Sequence, residues 1–99
     1  MDIDTIKRLC ADNTIYWSTH IAKRLIKWGV NRNDVKYAIG NGVIIEDYPD
    51  DYPHPSCLIS GNDENGNRIH VVCASDGHYI WMVTVYKPDV SRWNGDSRV

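Results

Sequence analysis

The chain contains no phenylalanine, so four tryptophans and six tyrosines are its only large aromatic side chains. In such a composition Trp17, Trp28, Trp81, Trp93, Tyr37, Tyr48 and Tyr52 are assigned first to packing, and to stacking on nucleic-acid bases only second. Cysteine is scarce. Cys10, Cys57 and Cys73 are odd in number and widely spaced, which excludes a complete disulfide framework and leaves free thiols. No C-x-x-C, H-x-x-x-H or similar close pair occurs, so a bound metal is not expected. No glycine-rich loop cradles a phosphate, which argues against a nucleotide cofactor. No nucleophile elbow supports Ser-His-Asp chemistry. Long apolar runs are missing too: nothing approaches a membrane span, and Met1–Thr5 has neither the basic nor the apolar part of a secretion signal. A cytoplasmic location without membrane attachment is the expectation.

What remains is ordinary globular composition, 42% hydrophobic and 24% charged over 99 residues, which predicts one domain with one core. The net charge of −2 is unlike that of a typical nucleic-acid binder. Its distribution is uneven, however. Lys23, Arg24, Lys27, Arg32 and Lys36 face only Asp34 between residues 16 and 36, whereas Glu46, Asp47, Asp50 and Asp51 gather later. A local basic face can hold an anion on a slightly acidic molecule.

Apolar spacing predicts an N-terminal helix over residues 1–12, with Ile3, Ile6, Leu9 and Cys10 on one face. Ser18 is placed to cap a second helix, closed by Gly29, whose buried stripe is expected to be Ile21, Ala22, Leu25, Ile26 and Trp28. Asn31 and Asp34 form a capping box, flanked by Val30 and Val35, for a third helix ending near Gly40–Gly42. A helix pair thus fills residues 18–42. From Val43 the period becomes two, and a proline-rich loop separates an extended run over Val43–Asp47 from the next strand. Asn65-Gly66 and Asp76-Gly77 predict tight hairpins joining Ser56–Gly61, Arg68–Ser75 and His78–Tyr86. The fold class is therefore α+β: N-terminal helices packed on a four-stranded antiparallel meander over residues 43–88. Residues 89–99 read as a loosely held tail with Trp93 as its anchor.

Ser18, His20 and Arg24 form the leading chemical constellation. A histidine in the first turn stands beside unpaired backbone N–H groups and the positive end of the helix dipole, which favour a neutral imidazole and a nearby phosphate. Arg24, one turn on, shares that side and can stabilise charge on a phosphoryl oxygen. The plainer reading makes Ser18 only a cap, His20 a surface residue and Arg24 a solvated charge. His70, inside the apolar run Ile69–Ala74, is the second candidate: it serves either a cleft or a backbone partner. Tyr86, which ends the last strand, is a further catalytic candidate, with packing as its plainer reading. A strict two-residue turn at Asp76-Gly77 would oppose Val83 to His70 and turn Tyr86 to the other face.

Several segments together resemble a bacterial family, domain of unknown function 4258. They are Ser18-Thr19-His20-Ile21-Ala22-Lys23-Arg24-Leu25, Gly29-Val30, Asp34-Val35, Gly42 through Asp51, Pro55-Ser56-Cys57-Leu58, His70-Val71-Val72, Thr84-Val85-Tyr86 and Pro88. The resemblance implies a fold similar to RelE-like toxins, within the barnase-like and RelE-like RNases. It also implies a partner antitoxin, often of zinc-finger type. The matching polar positions are His20, Arg24, His70 and Tyr86. One departure is Trp28, where the family often carries a basic residue.

The expected function is a metal-independent endoribonuclease toxin. His20 and His70 would divide the base and acid roles, Arg24 would stabilise the phosphoryl group, and Ser18, Lys23 and Lys27 would line the RNA path. The alternative is a non-catalytic protein-interaction module on an RNase-like scaffold.

Overall fold

The three helices start where a side-chain oxygen can satisfy first-turn N–H groups, as seen in a computed structural model that describes residues 1–99. Asp2 opens α1 (Ile3–Ala11), its carboxylate accepting from the Asp4 N–H. Ser18 opens α2 (Thr19–Trp28) through Oγ, which accepts from the Ile21 N–H at 3.2 Å. Gly29 closes α2 at φ 64°, a left-handed conformation that glycine adopts without a Cβ clash. Asn31 opens α3 (Arg32–Asn41) with the expected capping box: Asn31 Oδ1 accepts from the Asp34 N–H at 2.8 Å, and the Asp34 carboxylate accepts from the Asn31 N–H at 3.0 Å. The second helix departs from its expected stripe in one respect. Ile21 and Leu25 are buried, but Ile26 is 83% exposed.

The antiparallel meander is present as β2 (Val43–Tyr48), β3 (Ser56–Asn62), β4 (Arg68–Ser75) and β5 (Ile80–Tyr86). The sheet is nevertheless five-stranded and mixed, in the order β1-β5-β4-β3-β2, because β1 (Ile15–Trp17) adds in parallel beside Ile80–Met82. Asn13 makes this possible. Its φ of 59° turns the chain out of α1, and the Thr14 carbonyl then accepts from the Ile80 N–H at 2.9 Å. The helices between β1 and the meander supply the crossover that a parallel pair needs.

Strand alternation sends Cys57, Ile59, Val71, Cys73 and Met82 toward the helices, where they meet Ile6, Ile21, Val35 and Ile39 in one core of 17 buried residues. All three cysteines are buried free thiols, with Cys57 and Cys73 sulfurs 3.9 Å apart across β3 and β4. α3 lies directly on β3 at Gly61, where a Cβ would fall 2.0 Å from the Ala38 carbonyl oxygen. No helix is long and apolar enough to cross a membrane.

The opposite, outer face carries Leu58, Ser60, His70, Ala74, Trp81 and Tyr86. The tail crosses part of it. Far from being loose, it folds into a hairpin of β6 (Trp93–Asn94) and β7 (Ser97–Arg98), turned at Gly95 with φ 61°. Trp93 is its anchor, only 6% exposed. Asp96 accepts from Ser60 Oγ at 2.6 Å, and Arg98 binds the Glu46 carboxylate through two nitrogens.

Candidate functional site

β1 pairs only with the first half of β5, so the edge of Val83–Tyr86 is left without a neighbouring strand. A cleft of about 490 Å³ opens there. Arg24 and Trp28 of α2 form one wall, Thr84–Lys87 the floor, and Asp89, Arg92, Trp93 and Arg98 the other wall. Four cations thus face one carboxylate. The ion pairs of the chain join Met1 to Asp47, Arg68 to Asp96 and Arg98 to Glu46. Arg24, Lys87 and Arg92 therefore have no carboxylate within 4.0 Å; Asp89 and Asp63 are the acidic groups that the fields of Arg92 and Lys87 reach, and the cleft keeps a positive excess.

Beneath the cleft, Tyr86 stands opposite His70 across the β4–β5 ladder. The phenol oxygen is 3.2 Å from His70 Nδ1, and the two rings meet edge to face at 5.2 Å. This corrects the expected register, in which Tyr86 faced away. Two departures from a two-residue turn produce it. The β4–β5 loop spans Asp76–Tyr79, closed by the Asp76 carboxylate on the His78 and Tyr79 N–H groups and by Ser75 Oγ on the Tyr79 carbonyl. That lengthening shifts the register by two and preserves the face. A bulge opposite Val72 and Cys73 then inserts one extra residue, Val83, and turns Tyr86 onto the face of His70.

His70 is fully buried. Trp93 closes over it edge to face, with centroids 4.5 Å apart and planes at 87°. Its Nε2 has no hydrogen-bond partner, and neither does the buried Nε1 of Trp28 in the cleft wall. Burial pushes the His70 pKa below the ordinary histidine value; Asp96 opposes this and Arg68 and Arg98 reinforce it. The imidazole is accordingly neutral at pH 7. Burial also raises the Tyr86 phenol, so its hydroxyl keeps its proton. The pair is a neutral base and a neutral donor in contact, next to three unpaired cations.

The residues singled out by spacing divide between cleft and rim. Arg24 and Tyr86 line the cleft and His70 lies directly under it. His20 does not line it: it is exposed in the first turn of α2, one helical turn before Arg24. Ser18 is the cap of that helix, and Lys23 and Lys27 are exposed along it. The Lys27 ammonium sits over the Trp28 ring, 5.4 Å from its centroid. Lys87, Arg92, Arg98 and Trp28 were not anticipated in the cleft. For the tail the signal is Gly95-Asp96, a two-residue hairpin turn between the paired Asn94 and Ser97 that brings Arg98 back opposite Trp93.

No three His, Cys, Asp or Glu side chains are grouped as metal ligands would be. A family model described as Domain of unknown function (DUF4258) matches residues 17–87. That span includes Arg24, Trp28, His70, Tyr86 and Lys87; the tail hairpin that completes the cleft follows it. No curated protein and no solved structure matches the chain.

Proposed function

The chain belongs to this family, and we propose that it is a metal-independent endoribonuclease of the toxin type, held in check by a partner antitoxin that covers the cleft. One observation carries the reading: a Tyr86 hydroxyl on the nitrogen of a buried neutral His70, beside three cations that form no ion pair. Arg24, Lys87 and Arg92 hold the phosphodiester and oppose charge building on its oxygens. The ribose 2′-hydroxyl gives its proton to the Tyr86 oxygen as the Tyr86 proton passes to His70 Nδ1. The 2′-oxygen bonds to phosphorus, the bond from phosphorus to the 5′-oxygen breaks, and that oxygen takes a proton from water. The hydroxide so formed recovers the proton through Tyr86. His20, Lys23 and Lys27 along α2 bind flanking phosphates, and the N-terminus capped by Ser18 adds its dipole.

Incubating the purified chain with single-stranded RNA in chelator tests this. Cleavage by the wild type that is lost in Arg24→Ala is the expected result; inert wild-type protein contradicts the reading. A second reading, the non-catalytic interaction module, is favoured by the complete burial of His70, which suits a structural hydrogen bond equally well. Overexpression that leaves growth unchanged, with and without His70→Gln, selects it.

A further inference from the structure

The other end of the outer face, sharing no lining residue with the cleft, carries a second surface that cleavage does not use. Trp81 is its centre: the His54 ring stacks on it at 4.7 Å and 15°, and Tyr16 at 5.6 Å and 18°. Beside it lies a hollow of about 400 Å³ lined by Asp51, Tyr52, His54, Ala74, Trp81 and Val83. Tyr52 is 91% exposed, and Tyr16 and Val83 about half so. Aromatic surface left open in this way is characteristic of contact sites.

Charge decides what it contacts. Residues 37–67 and 69–86 contain no lysine or arginine, so the loops and strands lining the hollow bring no cation. Asp51, which lines the hollow, forms no ion pair, and neither do Asp50 before it in the loop and Asp76, which lies near enough to His54 of the hollow to feel its charge. Two of them are fixed in position. Asp51 accepts from Ser56 Oγ at 2.6 Å and from the Tyr52 N–H, while Asp76 accepts from two N–H groups of its own turn. A nucleic-acid strand would place phosphates against Asp51, whereas a guanidinium gains that carboxylate and the open ring of Tyr52.

We propose that this acidic aromatic surface docks an arginine-bearing segment of a partner protein, with a guanidinium seated in the hollow between Trp81, Tyr52 and Asp51. The occupant is a cationic peptide, not RNA, and the site is separate from the basic cleft.

The test uses the full chain, a hexa-arginine peptide and tryptophan fluorescence at low and moderate salt. The peptide is expected to quench fluorescence on binding and to bind about tenfold more weakly to Asp51→Asn/Asp76→Asn. Asparagine keeps an acceptor oxygen at each turn, so the variant preserves the local fold. Glu64→Gln/Asp12→Asn, which removes two charges elsewhere, is expected to change affinity less than about twofold. Oligouridylate, titrated without the peptide, is expected to bind Asp51→Asn/Asp76→Asn within about twofold of the wild type. Absence of binding, equal weakening by both double variants, or a change of about tenfold in oligouridylate affinity in Asp51→Asn/Asp76→Asn each overturns the proposal. RNA cleavage by Asp51→Asn/Asp76→Asn is measured in parallel and is expected to equal that of the wild type, which separates this site from the cleft.

Discussion

The two ends of the sheet's outer face share strands β3, β4 and β5, yet one is closed by the tail and the other is open. At the closed end, His70 and Ser60 project from the sheet and would be stranded without cover; Trp93 and Asp96 of the hairpin meet them, and Arg98 pairs with the partly exposed Glu46 at the edge. At the open end, Tyr16, Trp81 and His54 stack on one another and need no cover. Polar groups on a sheet face call for a lid, which here gives Ser60 a hydrogen bond and His70 a ring contact, whereas aromatic rings can partly bury themselves. The difference also sorts charge: cations outnumber carboxylates beside the lid, and the hollow at the open end has a carboxylate but no lysine or arginine.

The largest effect expected from breaking this contrast is catalytic. Tyr86→Phe and Arg24→Ala should each lower RNA cleavage by about 10²–10³-fold, read from initial rates in chelator. Trp81→Ala at the open end should leave the rate unchanged; a matching loss there erases the distinction between the ends. Next comes stability. Trp93→Ala should cost about 3 kcal/mol in urea unfolding, since it empties a buried aromatic position, while Tyr52→Ala should leave the midpoint where it is.

The third prediction concerns pH. His70 has a folded pKa below its unfolded value near 6.5, so the unfolded chain takes up a proton first as pH falls. Its contribution is complete above about pH 6.5 and is lost as pH falls through the folded pKa. Urea midpoints should therefore drop between pH 7 and 5, and the drop should shrink in His70→Gln. Smallest of all is the exposed ion pair. The Glu46 carboxyl is held below its usual range, first by the hydrogen bond from Arg98 and then by that from Tyr48. Arg98→Ala should let it rise, visible in a carboxyl titration by NMR, with little change in unfolding at neutral pH.

Local chemistry made much of this fold legible. Ser18, Gly29 and the Asn31–Asp34 box mark helix ends within a few residues of chain, and they stand where spacing put them. Long-range and irregular features were not legible. β1 is three residues long, too short to show alternation, and its partner lies 65 residues away at Ile80. Two bulges decide which way key side chains point. The one between Ile44 and Glu46 turns Glu46 outward to Arg98, and the one at Val83 turns Tyr86 to His70. Neither leaves a pattern in sequence, because an inserted residue breaks the very period used to read a strand. Helical spacing put His20 and Arg24 on one side of α2 but could not say which end of that helix borders the cleft.

The most direct test of the central claim is the chemistry of the cut ends. RNA cut by the wild type in chelator, analysed by mass spectrometry, should carry 2′,3′-cyclic phosphate and 5′-hydroxyl termini, and an oligonucleotide with 2′-deoxyribose at every position should stay intact. Fragments ending in 3′-hydroxyl and 5′-phosphate, or cleavage of the deoxy strand, would contradict attack by the 2′-oxygen and with it the role given to Tyr86 and His70.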